Sequence, residues 1–163
     1  MDLGLNETQQ MLKNSARDML SENCPLSLVR DLENADDRYP EELWRQMADL
    51  GWLGLAFPEE YGGAGGSFVD LAILLEEMGR TLTPSIFFST VVLGGLTILD
   101  GGDEAKKAEF LSAISEGKIM MTLALTEESN TYDPDAIKVT ACLEGEELVI
   151  DGTKLFVPDA KAA

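Results

Sequence analysis

Leu123-Ala124-Leu125-Thr126-Glu127, read together with Gly152-Thr153-Lys154-Leu155-Phe156-Val157, sets the fold class of this chain. Both are apolar-rich runs of strand type, and they bracket a third region with alternation of period two. Ile119 to Leu125 is the first run. Ile137, Val139, Ala141 and Leu143 then alternate with more polar neighbours, and Leu148 to Ile150 comes after a turn at Glu144-Gly145. Leu155-Phe156-Val157 closes the series. Three or four short strands with an apolar last edge make a poorly closed sheet, because the unpaired N–H and C=O groups of an edge call for a partner. The expectation is therefore the opening of a β-barrel-like domain that this chain leaves incomplete.

The residues before Lys118 read as helices with clear punctuation. Asn6 is a candidate N-cap for a helix carrying Leu12, Ala16, Met19 and Leu20, and Pro25 interrupts it. A short helix through Leu28, Val29 and Leu32 comes next. Pro40 fits the first turn of a helix bearing Leu43, Trp44 and Met47, which Gly51 ends. Ser67 caps an apolar helix through Leu71, Leu74 and Met78. Pro84 opens another, from Ser85 to about Leu99, apolar around most of its circumference. Gly94-Gly95 in its middle implies close approach by another backbone or by a ligand. Asp103 caps a last helix, from Glu104 to Glu116, which Gly117 ends. The fold class expected is α+β: an all-α domain of about six helices over residues 1–117, then the first strands of an incomplete β-domain over residues 118–163.

Composition narrows the function classes. The chain has 163 residues, of which 45% are hydrophobic, enough for a packed core. With 30 acidic and 12 basic residues and no histidine, its formal charge is −18. Such a surface repels nucleic acid and anionic membrane. No leader-like segment opens the chain and no apolar run is long enough to span a bilayer, so a cytoplasmic location without membrane insertion is expected. Cys24 and Cys142 form no CxxC motif and read as reduced thiols. The glycine-dense stretch from Gly54 to Gly66 lacks the Lys-Ser/Thr of a phosphate loop and carries Glu59 and Glu60. It reads as a tight crossing of the chain. Without histidine, the commonest general base and metal ligand is missing. No catalytic constellation or metal site is assigned.

Several segments, in order, resemble the acyl-CoA dehydrogenase family. Leu50-Gly51-Trp52-Leu53-Gly54 with Pro58-Glu59-Glu60-Tyr61-Gly62-Gly63 is similar to one family element, and Glu76-Glu77-Met78-Gly79-Arg80 to a family helix end. Gly102-Asp103-Glu104 through Lys107, Phe110-Leu111 and Glu116-Gly117 resemble a third. Leu125-Thr126-Glu127 and Asp151-Gly152-Thr153-Lys154 are similar to the flavin strand and the turn that precedes the flavin aromatic. The resemblance implies a parent FAD-dependent enzyme that dehydrogenates acyl-CoA thioesters at the α,β bond and passes electrons to an electron-transfer flavoprotein. It implies a homo- or hetero-oligomer. It also implies a C-terminal helical domain, absent from this chain, that supplies the catalytic base. This chain alone is expected to be inactive.

Carried over residue by residue, the resemblance implies flavin contacts at Leu125, Thr126, Phe156 and Pro158. On the substrate side it implies Thr90, Val91, Gly94 and Tyr132. Departures accompany these positions. Glu128 stands where the family has proline, Thr131 where it has glycine, Tyr132 where it has serine, and Pro158 where a hydroxyl residue is common. They keep a second expectation open, a flavin-poor partner subunit or scaffold without catalysis. A third is another flavoenzyme of the same fold, an oxidase or a monooxygenase.

Overall fold

The computed structural model describes residues 4–33, 39–131 and 133–163. Six α-helices lie among them: α1 (Glu7–Asn23), α2 (Leu26–Glu33), α3 (Glu41–Asp49), α4 (Phe68–Arg80), α5 (Leu96–Gly101) and α6 (Glu104–Ser115). A π-helix, Phe88–Gly95, runs directly into α5. Two strands, β1 (Thr140–Glu144) and β2 (Glu147–Asp151), form one antiparallel hairpin.

The helix starts obey their caps. The Asn6 side chain accepts from the Gln9 amide while the Asn6 amide donates to the Gln9 side chain, and Ser67 and Asp70 repeat that reciprocal pair at α4. The Asp103 side chain accepts from the Lys106 amide. Pro40 occupies the cap position before Glu41. Gly51 and Gly117 take left-handed backbone just beyond α3 and α6. Helix α4 runs one residue past Gly79, to Arg80.

The core gathers Ala16 and Leu20 of α1, Leu43, Trp44 and Met47 of α3, and Leu71, Leu74 and Met78 of α4, with Phe57, Phe87, Val91, Leu111 and Ile114. The glycine-dense stretch lies over this core and folds on itself. The amides of Ala64, Gly65 and Gly66 donate to the carbonyls of Gly54, Phe57 and Leu55. A Cβ on Gly63 would run into the Phe57 carbonyl, so the stretch is the tight crossing that its composition indicates. Tyr61 from this stretch donates to Glu104 at 2.6 Å, tying it to α6. The carboxylate and burial together push the phenol up to about 12.

Helices α1 and α4 lie side by side in the same direction, joined by a ladder of polar contacts. Gln9 donates to Asp70, Lys13 to Glu76, Arg17 to Glu77, and Arg80 to Ser21. Glu77 is the centre. Its side chain is 0% exposed, and it accepts from Arg17 at 2.7 and 3.1 Å and from Arg80 Nε at 2.9 Å. The Arg17 hydrogen bonds, with Arg80, hold its carboxyl below the usual carboxylate range against the opposing effect of burial.

Two expectations are corrected. The apolar helix from Ser85 to Leu99 is neither regular nor buried all round. It is a π-helix followed by α5, and Phe88 is exposed. The missing side chains of Gly94 and Gly95 leave room for two bulky neighbours, Met121 and Phe57. The runs Ile119 to Leu125 and Leu155 to Val157 also form no ladder among the described residues, so the sheet is one hairpin in place of three or four strands. An apolar run carries the signal for a strand but not for its partner.

Replacing Glu77 by Gln should lower unfolding free energy by about 2 kcal/mol at neutral pH, the scale of hydrogen bonds to a charged group. Because the folded carboxyl titrates below its unfolded value, roughly 4.3, its stabilisation is present above that value and is lost as pH falls. Urea unfolding at pH 7 and pH 3 should show the gap between wild type and Glu77→Gln closing at the lower pH.

Candidate functional site

At Met121 the segment after α6 is joined to the helical body by a side chain of the π-helix. Thr90, fully buried on the π-helix, donates its hydroxyl to the Met121 carbonyl and accepts from the Met121 amide, each at 3.1 Å. Thr90 thus pairs with the backbone as a strand residue would. Gly94, one turn on, lies against the same residue. A Cβ there would stand 2.8 Å from Met121 Cβ. A Cβ on Gly95 would run into the Phe57 ring. The close approach that Gly94-Gly95 implies is therefore made by this chain's own Met121 and Phe57.

Beyond Met121 the chain forms no regular element up to Glu127, and Glu127 organises the hairpin region. Its carboxylate accepts from the amides of Lys138 at 2.7 Å and Val139 at 3.1 Å, and from Lys154 Nζ at 2.7 Å. The Lys154 hydrogen bond first, then the Lys138 amide, lowers its pKa to about 2 despite burial. Lys154 also donates to the Leu125 carbonyl, and the Leu155 amide donates to the Thr126 carbonyl at 2.7 Å. These bonds bring residues 154–156 alongside residues 125–127.

At that junction lie the positions implicated for flavin. Leu125 is 42% exposed and Phe156 85% exposed. Thr126 is half-buried and Pro158 exposed. The four are brought into one region by the Leu155–Thr126 bond. On the substrate side, Thr90, Val91 and Gly94 are buried beneath Met121, and the Thr90 hydroxyl is fully engaged by that residue. Tyr132 lies outside the described residues. Sequence reasoning missed Glu127 and Lys154 as a pair, and also Ser89, which donates to Asp159. Among 30 acidic residues no single carboxylate stands out by spacing. No cluster of three or more potential metal ligands occurs among the described residues, and no described helix is long and apolar enough to cross a membrane.

A family model described as "Acyl-CoA dehydrogenase, N-terminal domain" matches residues 6–118. The chain belongs to the acyl-CoA dehydrogenase family. It is 29% identical over its whole length to a probable acyl-CoA dehydrogenase, YngJ, of Bacillus subtilis, and covers 43% of that protein. Among solved structures it is similar to a variant of the Tcur3481-Tcur3483 steroid ACAD. The TM-score is 0.85 at 33% identity, covering 96% of this chain and 43% of that one. It is also similar to an acyl-CoA dehydrogenase complexed with FAD from Bacillus anthracis. That TM-score is 0.85 at 27% identity, covering 98% of this chain and 28% of that one. The chain thus spans less than half the length of these relatives.

The residues at the junction suit the ring system of FAD. An exposed aromatic beside an exposed leucine offers apolar surface for a flat π-face. The neighbouring residues Glu128, Asp133 and Asp135 are exposed carboxylates, which suit its pyrophosphate poorly.

Glu127 gives this region a testable pH signature. Its carboxyl drops from roughly 4.3 in an unfolded chain to about 2 when folded, so its contribution is complete above the unfolded value and lost as pH falls from there towards 2. The Lys138 and Val139 amide resonances should titrate together with a midpoint near 2. A midpoint at the unfolded value would show that the carboxylate does not hold these amides.

Proposed function

We propose that the whole protein to which these residues belong is a flavin-dependent acyl-CoA dehydrogenase, and that this chain contributes its N-terminal helical domain and the opening of its β-domain. The observation that carries the reading is the exposed Leu125 and Phe156 pair, held at one junction by the Leu155–Thr126 bond in a chain of this family. The domain division lies at the change from helices to extended chain near Lys118. When bound, FAD supplies the hydride acceptor for α,β-dehydrogenation of an acyl thioester. Leu125, Thr126, Phe156 and Pro158 would hold its ring system by apolar contact and backbone placement.

On the substrate side, Thr90, Val91 and Gly94 form the packed backing of an acyl pocket, and Tyr132 completes the set. No carboxylate of this chain is assigned as the α-proton base. Glu77 and Glu127 are both buried and engaged by cations. An electron-transfer flavoprotein as acceptor, an oligomeric assembly and a cytoplasmic location complete the proposal.

A second reading rests on the departures at Glu128, Tyr132 and Pro158, with Glu128 an exposed carboxylate next to Glu127. They favour a flavin-poor partner subunit that shapes a site without carrying the cofactor.

The whole protein, purified without added flavin, decides between the two. One FAD per chain, bleached anaerobically by acyl-CoA, supports the dehydrogenase. Colourless protein that takes up no FAD overturns it in favour of the partner subunit. Bleached flavin that regains its colour on admission of oxygen, with release of peroxide, would identify an oxidase. The 163-residue chain by itself is expected to bind neither FAD nor acyl-CoA in calorimetry, since a partial site keeps the ordering cost with few of the contacts.

A further inference from the structure

Ser89 stands next to Thr90 on the π-helix and is almost as deeply buried, at 2% exposure. A buried hydroxyl on a helix ordinarily turns to the carbonyl one turn back. The buried Ser115 does so, donating to Leu111, as does the exposed Thr97, donating to Leu93. Ser89 instead donates to the carboxylate of Asp159, at the far end of the chain.

Asp159 closes a short loop whose other end is fixed by the Leu155 amide on the Thr126 carbonyl. Phe156, Val157 and Pro158 lie between the two anchors. Phe156 and Asp159 have φ of +51° and +49°, a region that residues other than glycine seldom adopt. Backbone of this kind persists where its surroundings over-determine it, and here the anchors do so. The outcome is a phenylalanine ring 85% exposed to solvent. A ring free to settle would turn towards apolar surface, since burial favours it. Ala162, just beyond Asp159, packs against the core, so the second anchor joins the loop to the helical body.

We propose that Ser89 and Asp159 are a positioning pair: their hydrogen bond fixes the 156–159 loop so that Phe156 presents its ring to the isoalloxazine of bound FAD. The proposal rests on the flavin reading above. Neither residue touches the flavin in this scheme. The pair acts through Phe156, by keeping the loop in its left-handed turn, and it links the flavin position to the same π-helix that holds Met121.

The test uses Asp159→Ala, Asp159→Asn and Ser89→Ala. In the 163-residue chain, Asp159→Ala should speed hydrogen exchange at the amides of Val157, Asp159 and Ala160, while the Met121 amide keeps its protection. Unchanged exchange would overturn the anchor itself. In the whole protein, Asp159→Ala should weaken FAD binding about tenfold, the scale of one charge-assisted hydrogen bond, and shift the visible flavin spectrum. Asp159→Asn should restore both, because its amide oxygen still accepts from Ser89. Asp159 is exposed, so its variants leave no cavity in the core and remain informative even where Ser89→Ala folds poorly. Wild-type affinity and spectrum in Asp159→Ala would overturn the positioning role, as would equal defects in the Ala and Asn variants. A wild-type protein that takes up no FAD would bring down the flavin reading and this proposal together. Flavin-loaded wild type with indifferent variants would remove the positioning pair alone.

Discussion

The double hydrogen bond between Thr90 and the backbone of Met121 fixes where residues 119–163 sit against the helical body. A threonine hydroxyl is both donor and acceptor, so one side chain satisfies both backbone groups of a residue that has no strand partner. It can do so only because the π-helix brings Thr90 to full burial and because Gly94 leaves room for Met121 Cβ. Phe57 fills the corresponding room at Gly95, which ties the glycine-dense crossing into the same joint. A wider helical turn, two glycines and one hydroxyl together form the seat of the segment that starts at Met121.

Two buried carboxylates work on either side of that seat, by different means. Glu77 lies within a well-packed body, where apolar contacts from α1 and α4 already favour association. Its ion pair with Arg17, with the Arg80–Ser21 hydrogen bond, sets how the two helices register against each other. Glu127 lies in a region with almost no buried apolar side chains, and every residue of both strands is exposed. There the carboxylate takes the place of a core. It gathers the two amides that lead into β1 and the Lys154 ammonium that lies beyond β2. Several charge-assisted hydrogen bonds to one acceptor compensate for its burial, as its low pKa reflects.

Much of the helical body is legible in the sequence because its signals are local. Asn6, Ser67 and Asp103 cap helices through contacts three residues away, and Gly51 and Gly117 mark ends by backbone freedom alone. The hairpin is legible for the same reason, from alternation and a Glu-Gly turn. The π-helix is not, since no local pattern marks it and the residues packed at its Gly94 and Gly95, Met121 and Phe57, lie far from it in sequence. The apolar run Ile119 to Leu125 suggests a strand, but it joins no ladder among the described residues. What the pattern cannot give is the partner, and that partner is a threonine side chain. The family motifs carry the identity where spacing stops. They point to Leu125, Thr126, Phe156 and Pro158 but not to Ser89 and Asp159, whose contact is purely tertiary.

The exposed surface of the 118–163 region has a consistent logic. Register places Ala141 opposite Ile150 and Leu143 opposite Leu148, so these four share one face of the hairpin, and Leu143, Leu148 and Ile150 are all exposed. Phe156 and Leu125 add further uncovered apolar area at the junction. A two-stranded hairpin draws little stability from its own ladder. Polar contacts fix its place: Glu127 at its base, the Leu155–Thr126 bond and the anchor at Asp159. Polar bonds of defined length hold geometry without consuming apolar surface, and that leaves the surface free. A region built this way is suited to receive a large flat ligand or further structure, because the groups that would bind it are not spent on holding the region together.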